Sequence, residues 1–150
     1  APVVENLAKR CGGFLKRLSL RGCENVQENA LRSFTLKCPN IEHLSLYKCK
    51  RVTDSEGCKN LEYLNISWCE NVQNRGVQAV LQGCPKLSTL ICRGCEGLTE
   101  TAFAEMRNFC CQLRTVNLLG CFITDDTVAN LAAGLPKIGV PVLIFLYPNY

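Results

Sequence analysis

The sequence predicts an α/β solenoid, a curved parallel sheet on one face with helices on the convex face, assembled from about five like units. Three observations predict it. A nine-residue template recurs five times, its copies mostly step by 26 residues, and apolar triples at helical spacing follow the copies. Repetition of this kind marks a stack of supersecondary units, each covering its neighbour's apolar face and none stable alone.

Each copy follows L-x-x-L-x-L-x-x-C: Leu15 to Cys23, Ile41 to Cys49, Leu61 to Cys69, Leu87 to Cys95 and Leu113 to Cys121. The steps from Leu18 to Leu44, Leu64 to Leu90 and Leu90 to Val116 are 26 residues each. The L-x-L centre alternates at period two, so its apolar members share one side of a short strand. A turn follows, and then Thr53-Asp54, Thr99-Glu100 or Thr124-Asp125. A hydroxyl cap with an acidic first turn suits a helix start. The triples Leu31, Phe34, Cys38; Val77, Val80, Cys84; Phe103, Met106, Cys110; and Val128, Leu131, Leu135 each fall on one helix face. Ala1 to Cys11 reads as the helical return of a preceding unit.

The third unit is shorter. Val52 to Cys58 spans six residues where Val72 to Cys84 spans twelve, so half a helix is missing and the unit is 20 residues long. An in-frame loss joining Ser55 to Glu56 accounts for this, a hypothesis that a transcript lacking a junction there would sink. At the far end Gly134 to Ile138 begins another unit, but Pro141 stands where a strand leucine belongs, and proline cannot donate to a ladder. Residues 1–139 are thus predicted as repeats. Residues 140–150 form a divergent apolar tail, an aggregation hazard unless it caps the last unit.

Ten of the twelve cysteines fall in two columns. Cys23, Cys49, Cys69, Cys95 and Cys121 follow the strands; Cys11, Cys38, Cys58, Cys84 and Cys110 close the helices. Columns suit small buried hydrophobes, whereas metal ligands converge on one point. Cys92-Arg-Gly-Cys95 matches C-x-x-C, yet Cys92 merely replaces the second leucine of the template, so no metal and no cofactor is predicted. His43 is the sole histidine and leaves a cysteine nucleophile without a suitable base, so no catalytic residue is predicted and the chain does not read as an enzyme.

Composition sets the outer limits. At 150 residues, 47% apolar and 20% charged, the chain fits one globular domain. Its net charge of +4 is scattered, with no basic block to suggest nucleic acid. The run Val142 to Tyr147 is far short of the about 20 residues that cross a bilayer. No secretory signal reads from Ala1 to Arg10, so the expected setting is cytoplasmic or nuclear, with reduced cysteines.

The residues between the strand leucines are predicted to line the concave face in columns: Arg17, His43, Tyr63, Thr89, Thr115; Ser19, Ser45, Asn65, Ile91, Asn117; and Arg21, Tyr47, Ser67, Arg93, Leu119. Aromatic and arginine side chains dominate binding hot spots. Arg17, Arg21, His43, Tyr47, Tyr63, Asn65 and Arg93 are accordingly the candidate contacts for a target protein, against the plainer reading of a solvated face. Trp68, beside Cys69, is either an anchor for that partner or packing at the sheet rim.

The period, the Cys38-Pro-Asn-Ile-Glu-His-Leu-Ser-Leu-Tyr-Lys-Cys49 segment and the Val52-Thr-Asp and Leu98-Thr-Glu turns resemble the cysteine-containing repeats of F-box and leucine-rich-repeat proteins. The resemblance covers about Val3 to Gly134. It implies a substrate receptor of an SCF-type ubiquitin ligase, in which the F-box docks on the Skp adaptor and cullin while the repeats hold the protein destined for proteasomal degradation. No F-box precedes the first repeat, so the chain by itself is expected not to bind that adaptor. Two other readings stand beside this one: a truncated product without independent ligase function, and a cysteine-based metal or redox protein.

Overall fold

The computed structural model describes residues 2–22, 37–46, 59–104, 112–122, 124–126, 129, 131 and 143–145. Helix α1 (Pro2–Cys11) is followed by strand β1 (Arg17–Ser19), and then by β2 (His43–Ser45) and β3 (Tyr63–Asn65). Helix α2 (Asn74–Gly83) leads to β4 (Thr89–Ile91), a 3-10 helix over Glu100–Phe103, β5 (Thr115–Asn117) and β6 (Leu143–Phe145). The strands form one parallel sheet in the order β1-β2-β3-β4-β5-β6. Each strand pairs with its successor in the chain, which is the connectivity of a stack of units returning through their helical side.

The L-x-L centres make these strands. Leu18, Leu44, Leu64, Leu90 and Val116 are direct partners across the sheet. Leu44, Leu64, Leu90 and Val116 are buried with Leu46, Ile66, Cys92 and Leu118 two residues on, while the intervening positions stay half-open. The helical side covers them: Val77, Val80 and Leu81 of α2 and Ala102 and Phe103 of the 3-10 helix join the same core. Of the predicted triples, Val77, Val80 and Cys84 are buried together, as are Cys38, Phe103 and Leu131. Leu31, Phe34, Met106, Cys110, Val128 and Leu135 lie outside the described residues.

Thr99 caps the 3-10 helix as predicted, its hydroxyl accepting the Thr101 N–H at 3.4 Å. It also bridges units. The Asn74 side-chain Nδ2 donates to the Thr99 hydroxyl at 2.8 Å, and the Thr99 N–H donates to the Asn74 side-chain oxygen Oδ1 at 2.9 Å. Asp125 and Asp126 are helical after Thr124, and Thr53-Asp54 lies outside the described residues. At the opposite rim, Asn40 donates to the Gly13 carbonyl, Asn60 to the Pro39 carbonyl, and Lys86 to Asn60, each reaching back one unit.

Two features differ from the sequence expectation. The shortened third unit leaves the sheet undisturbed: Leu44 pairs with Leu64, twenty residues on, in the register that Leu64 and Leu90 keep at 26. The sheet also has a sixth strand beyond the five repeats. Leu143, Ile144 and Phe145 lie opposite Thr115, Val116 and Asn117, inside the segment expected to leave the template. The strand begins past Pro141, so the missing proline N–H falls outside the ladder.

The cysteines after the strands do more than fill space. Cys69, Cys95 and Cys121 are buried free thiols. Each donates through sulfur to a carbonyl of the preceding unit: Cys69 to Leu46 at 3.0 Å, Cys95 to Ile66 at 3.0 Å, and Cys121 to Cys92 at 2.9 Å. Ile66 and Cys92 accept a second bond on the same oxygen, from the N–H of Cys69 and Cys95. A thiol here joins the turn of one unit to the strand end of the last, a bond that alanine cannot make.

Candidate functional site

The register fixes what the open face of the sheet presents. Arg17, His43, Tyr63, Thr89 and Thr115 stand opposite one another on successive strands, as do Ser19, Ser45, Asn65, Ile91 and Asn117. Side chains on one face of adjacent strands approach to about 5 Å. The His43 and Tyr63 rings accordingly stack at a centroid distance of 3.9 Å and an interplanar angle of 7°. Burial lowers the His43 pKa from its ordinary 6.5, and the Arg17 charge beside it lowers it further. Both effects favour the uncharged form of the imidazole in this stack.

One expected contact, Asn65, and one further residue of the face, Asn117, are partly committed to the fold. The Asn65 side-chain oxygen Oδ1 accepts the Ser67 N–H at 2.9 Å, closing the turn after β3, and Asn117 Oδ1 does the same for Leu119 at 3.1 Å. Ser67, predicted among the outward columns, is instead buried. Its hydroxyl accepts the Arg93 N–H at 3.1 Å, which satisfies it inside the stack. Arg17, Arg21 and Arg93 are exposed, and Tyr47 lies outside the described residues.

Trp68 takes a backbone conformation that the sequence reading missed. Its φ is +58°, in the left-handed region, where the matching positions of other units carry Gly22 (+63°), Gly94 (+72°) and Gly120 (+79°). A side chain costs about 1 kcal/mol or more there. The column Gly22, Lys48, Trp68, Gly94, Gly120 was readable in the template, so the signal lay in its three glycines; Lys48 lies outside the described residues. The Trp68 N–H donates to the Arg93 carbonyl at 2.8 Å, as the Gly94 N–H does to Leu119. This holds the turn in line with its neighbours.

The indole packs on the next unit. A Cβ placed on Gly94 would run into the Trp68 ring. Trp68 thus lies flat over a position that only glycine leaves open, and remains 39% exposed. Both readings of this residue meet here: it packs at the sheet rim and still offers surface beside Arg93.

Other chemistry finds less support in the geometry. Burial raises the Cys92 thiol pKa well above 9.0, and the neighbouring Cys95, Cys121 and Cys69 add to it. Burial pushes Cys95 to about 12 and Cys121 to about 11. Thiols held protonated are poor nucleophiles and poor ligands. Among the described residues, no group of three or more His, Cys, Asp or Glu is placed to hold a metal ion, and no helix is long and apolar enough to cross a membrane.

Comparison with known proteins agrees with this architecture. Residues 57–81 match the family described as Leucine Rich repeat. The chain is similar to one in the crystal structure of the Rad7 and Elc1 complex in yeast, at a TM-score of 0.58 and 14% sequence identity. That match covers 81% of this chain and 31% of the other, so the present chain spans about a third of its length. At such identity the likeness speaks to fold alone.

Proposed function

We propose, for a chain whose fold is an α/β leucine-rich-repeat solenoid, that it holds a target protein on the open face of its sheet as the recognition part of an SCF-type ubiquitin ligase receptor. Leucine-rich repeats are scaffolds for protein interaction, and the observation that carries the reading is the row Arg17, His43, Tyr63, continued by Arg93 and Trp68 at the rim. Flat aromatic rings and guanidinium groups on a preset backbone are what hot spots use. The ligase assignment, the cysteine-containing F-box subgroup and the cytoplasmic or nuclear setting rest on the resemblance of the repeats. In this reading residues 1–139 supply the repeats and residues 140–150 close the stack. The Skp adaptor and cullin join through an F-box that these 150 residues do not include, and the chain itself performs no bond chemistry.

Site-directed photo-crosslinking tests the face. A crosslinking amino acid at Thr89, on the sheet, is expected to trap a defined partner, while one at Gln82, exposed on α2, traps none. Equal trapping from both positions would overturn the assignment of the face. Fusing an F-box to the chain should then bring adaptor and cullin down with that same partner; their absence removes the ligase part alone. A second reading, a shortened receptor that competes for targets, draws on the 20-residue step between Leu44 and Leu64. It predicts that the unfused chain slows the target's degradation in cells.

A further inference from the structure

We infer that the occupant of this face is an acidic, extended peptide segment of a partner protein, lying across the strands with carboxylates on Arg17 and Arg93 and an apolar side chain against Trp68. The inference rests on the protein-binding reading above and gives its ligand a chemistry.

The sign of charge carries it. Among the described positions of the face, the basic side chains are Arg17, Arg21, Arg93 and His43, and none is a carboxylate. Glu42 and Glu62 lie one residue before β2 and β3, and Glu42 already pairs with Lys16 at 3.7 Å. Neither Arg17 nor Arg93 has a carboxylate within ion-pair distance among the described residues. Their planar forks are free to take the bidentate carboxylate geometry that guanidinium groups favour.

Spacing gives the segment its form. Arg17 is on β1 and Arg93 follows β4, three inter-strand steps apart, or at least about 14 Å. One carboxylate cannot serve both. An extended chain advances about 3.3 Å per residue, so acids four or more residues apart match the span. Between them lie the His43–Tyr63 stack, Thr89 and Ile91, which offer flat and apolar contact rather than further charge. A phosphate backbone would need a denser run of basic groups than this.

Trp68 supplies the anchor. It keeps a side chain at a left-handed position where three sister units use Gly22, Gly94 and Gly120, and its ring is braced on Gly94 and half-open to solvent. Backbone strain of this kind gathers where a surface is preset for a ligand.

Trp68 is the only tryptophan in the chain, so its fluorescence reads the site directly. The chain is titrated with a short peptide alternating glutamate and leucine, with its glutamine and lysine counterparts, and with oligo-dT. The acidic peptide should shift Trp68 emission saturably, and more weakly as salt rises. Arg17→Gln and Arg93→Gln should each reduce its affinity about fivefold, the loss of one charge-assisted contact. Arg75→Gln, exposed on α2, should leave it unchanged. Equal binding of the glutamine peptide, preference for the lysine peptide or oligo-dT, or no response to any of the four overturns the inference. A partner crosslinked from Thr89 would still stand in each of those cases, so the two readings fail separately.

Discussion

At Trp68 the usual order of two substitutions should invert. Glycine ordinarily loses about 0.5–1 kcal/mol relative to alanine because it frees the unfolded chain. With φ at +58°, alanine keeps the strained backbone and loses the indole, whereas glycine loses the indole and sheds the strain. Trp68→Gly is therefore expected to be the more stable of the two by about 1 kcal/mol, read as urea midpoints. An alanine variant as stable as the glycine one would mean that the turn relaxes. Gly94→Ala should destabilise more than Trp68→Gly, because its Cβ meets the ring. Combining the two should restore the part due to that collision and leave the cost of the positive φ at residue 94.

His43 gives the same face a dependence on acid. Its pKa in the fold lies below the ordinary 6.5, through burial first and the Arg17 charge second. The groups around it are Arg17 on β1 and Tyr63 on β3, with Lys16 and Glu42 paired at the rim. A base whose folded value is depressed contributes stability that is complete above its unfolded value and lost as pH falls through the folded one. The urea midpoint should thus decline from pH 7 to pH 5, and His43→Gln should flatten part of that decline. A slope that survives the substitution intact assigns the effect to other groups.

Among the elements, the turn after each strand carries the chemistry that the template letters only hint at. Column periodicity foretold that Cys69, Cys95 and Cys121 would be buried, but apolar patterning says nothing about the direction of a thiol. Their bonds to Leu46, Ile66 and Cys92 depend on the carbonyl of the preceding unit arriving at 2.9–3.0 Å, which is a property of stacking. These thiols, with Cys38, Cys84 and Cys92, should react with iodoacetamide only as fast as the chain unfolds, and the half-buried Cys11 sooner. Fast labelling of Cys95 in the folded chain would contradict its burial. Raised thiol pKa values also set an alkaline limit. The stability they hold is complete below 9.0 and is lost as pH rises toward about 11 for Cys121 and about 12 for Cys95.

For the molecule entire, stability is a sum over neighbouring units, and the units are unequally covered. Leu64 and Leu90, in the middle strands, are fully buried, whereas Leu15, Leu18 and Leu20 around β1 are only partly so. Hydrogen exchange should accordingly protect the amides of β3 and β4 most and those of β1 least. Uniform protection would point to a single cooperative block. The repeat itself was legible from sequence because five copies of one pattern report the same local physics: L-x-L for each strand, Val77 and Val80 for the helix behind β3. The sixth strand was not, because Pro141 breaks the pattern and only the edge of β5 says where Ile144 can pair. The left-handed Trp68 was hidden for the opposite reason, since a large side chain draws the eye away from the three glycines in its column.

The step of 20 residues between Leu44 and Leu64, set beside steps of 26, separates two quantities that most folds bind together. Distance along the face is counted in strands, at about 4.8 Å each, whatever length of chain is spent behind them. The face is a ruler with fixed graduations, and the helical side is slack. Trimming the slack erases no mark and shifts none. Removing a whole unit shortens the scale by one graduation and brings two formerly distant marks together. A segment measured against such a ruler sees a change of length only in whole divisions, so the surface can be lengthened, shortened or relettered without losing its calibration.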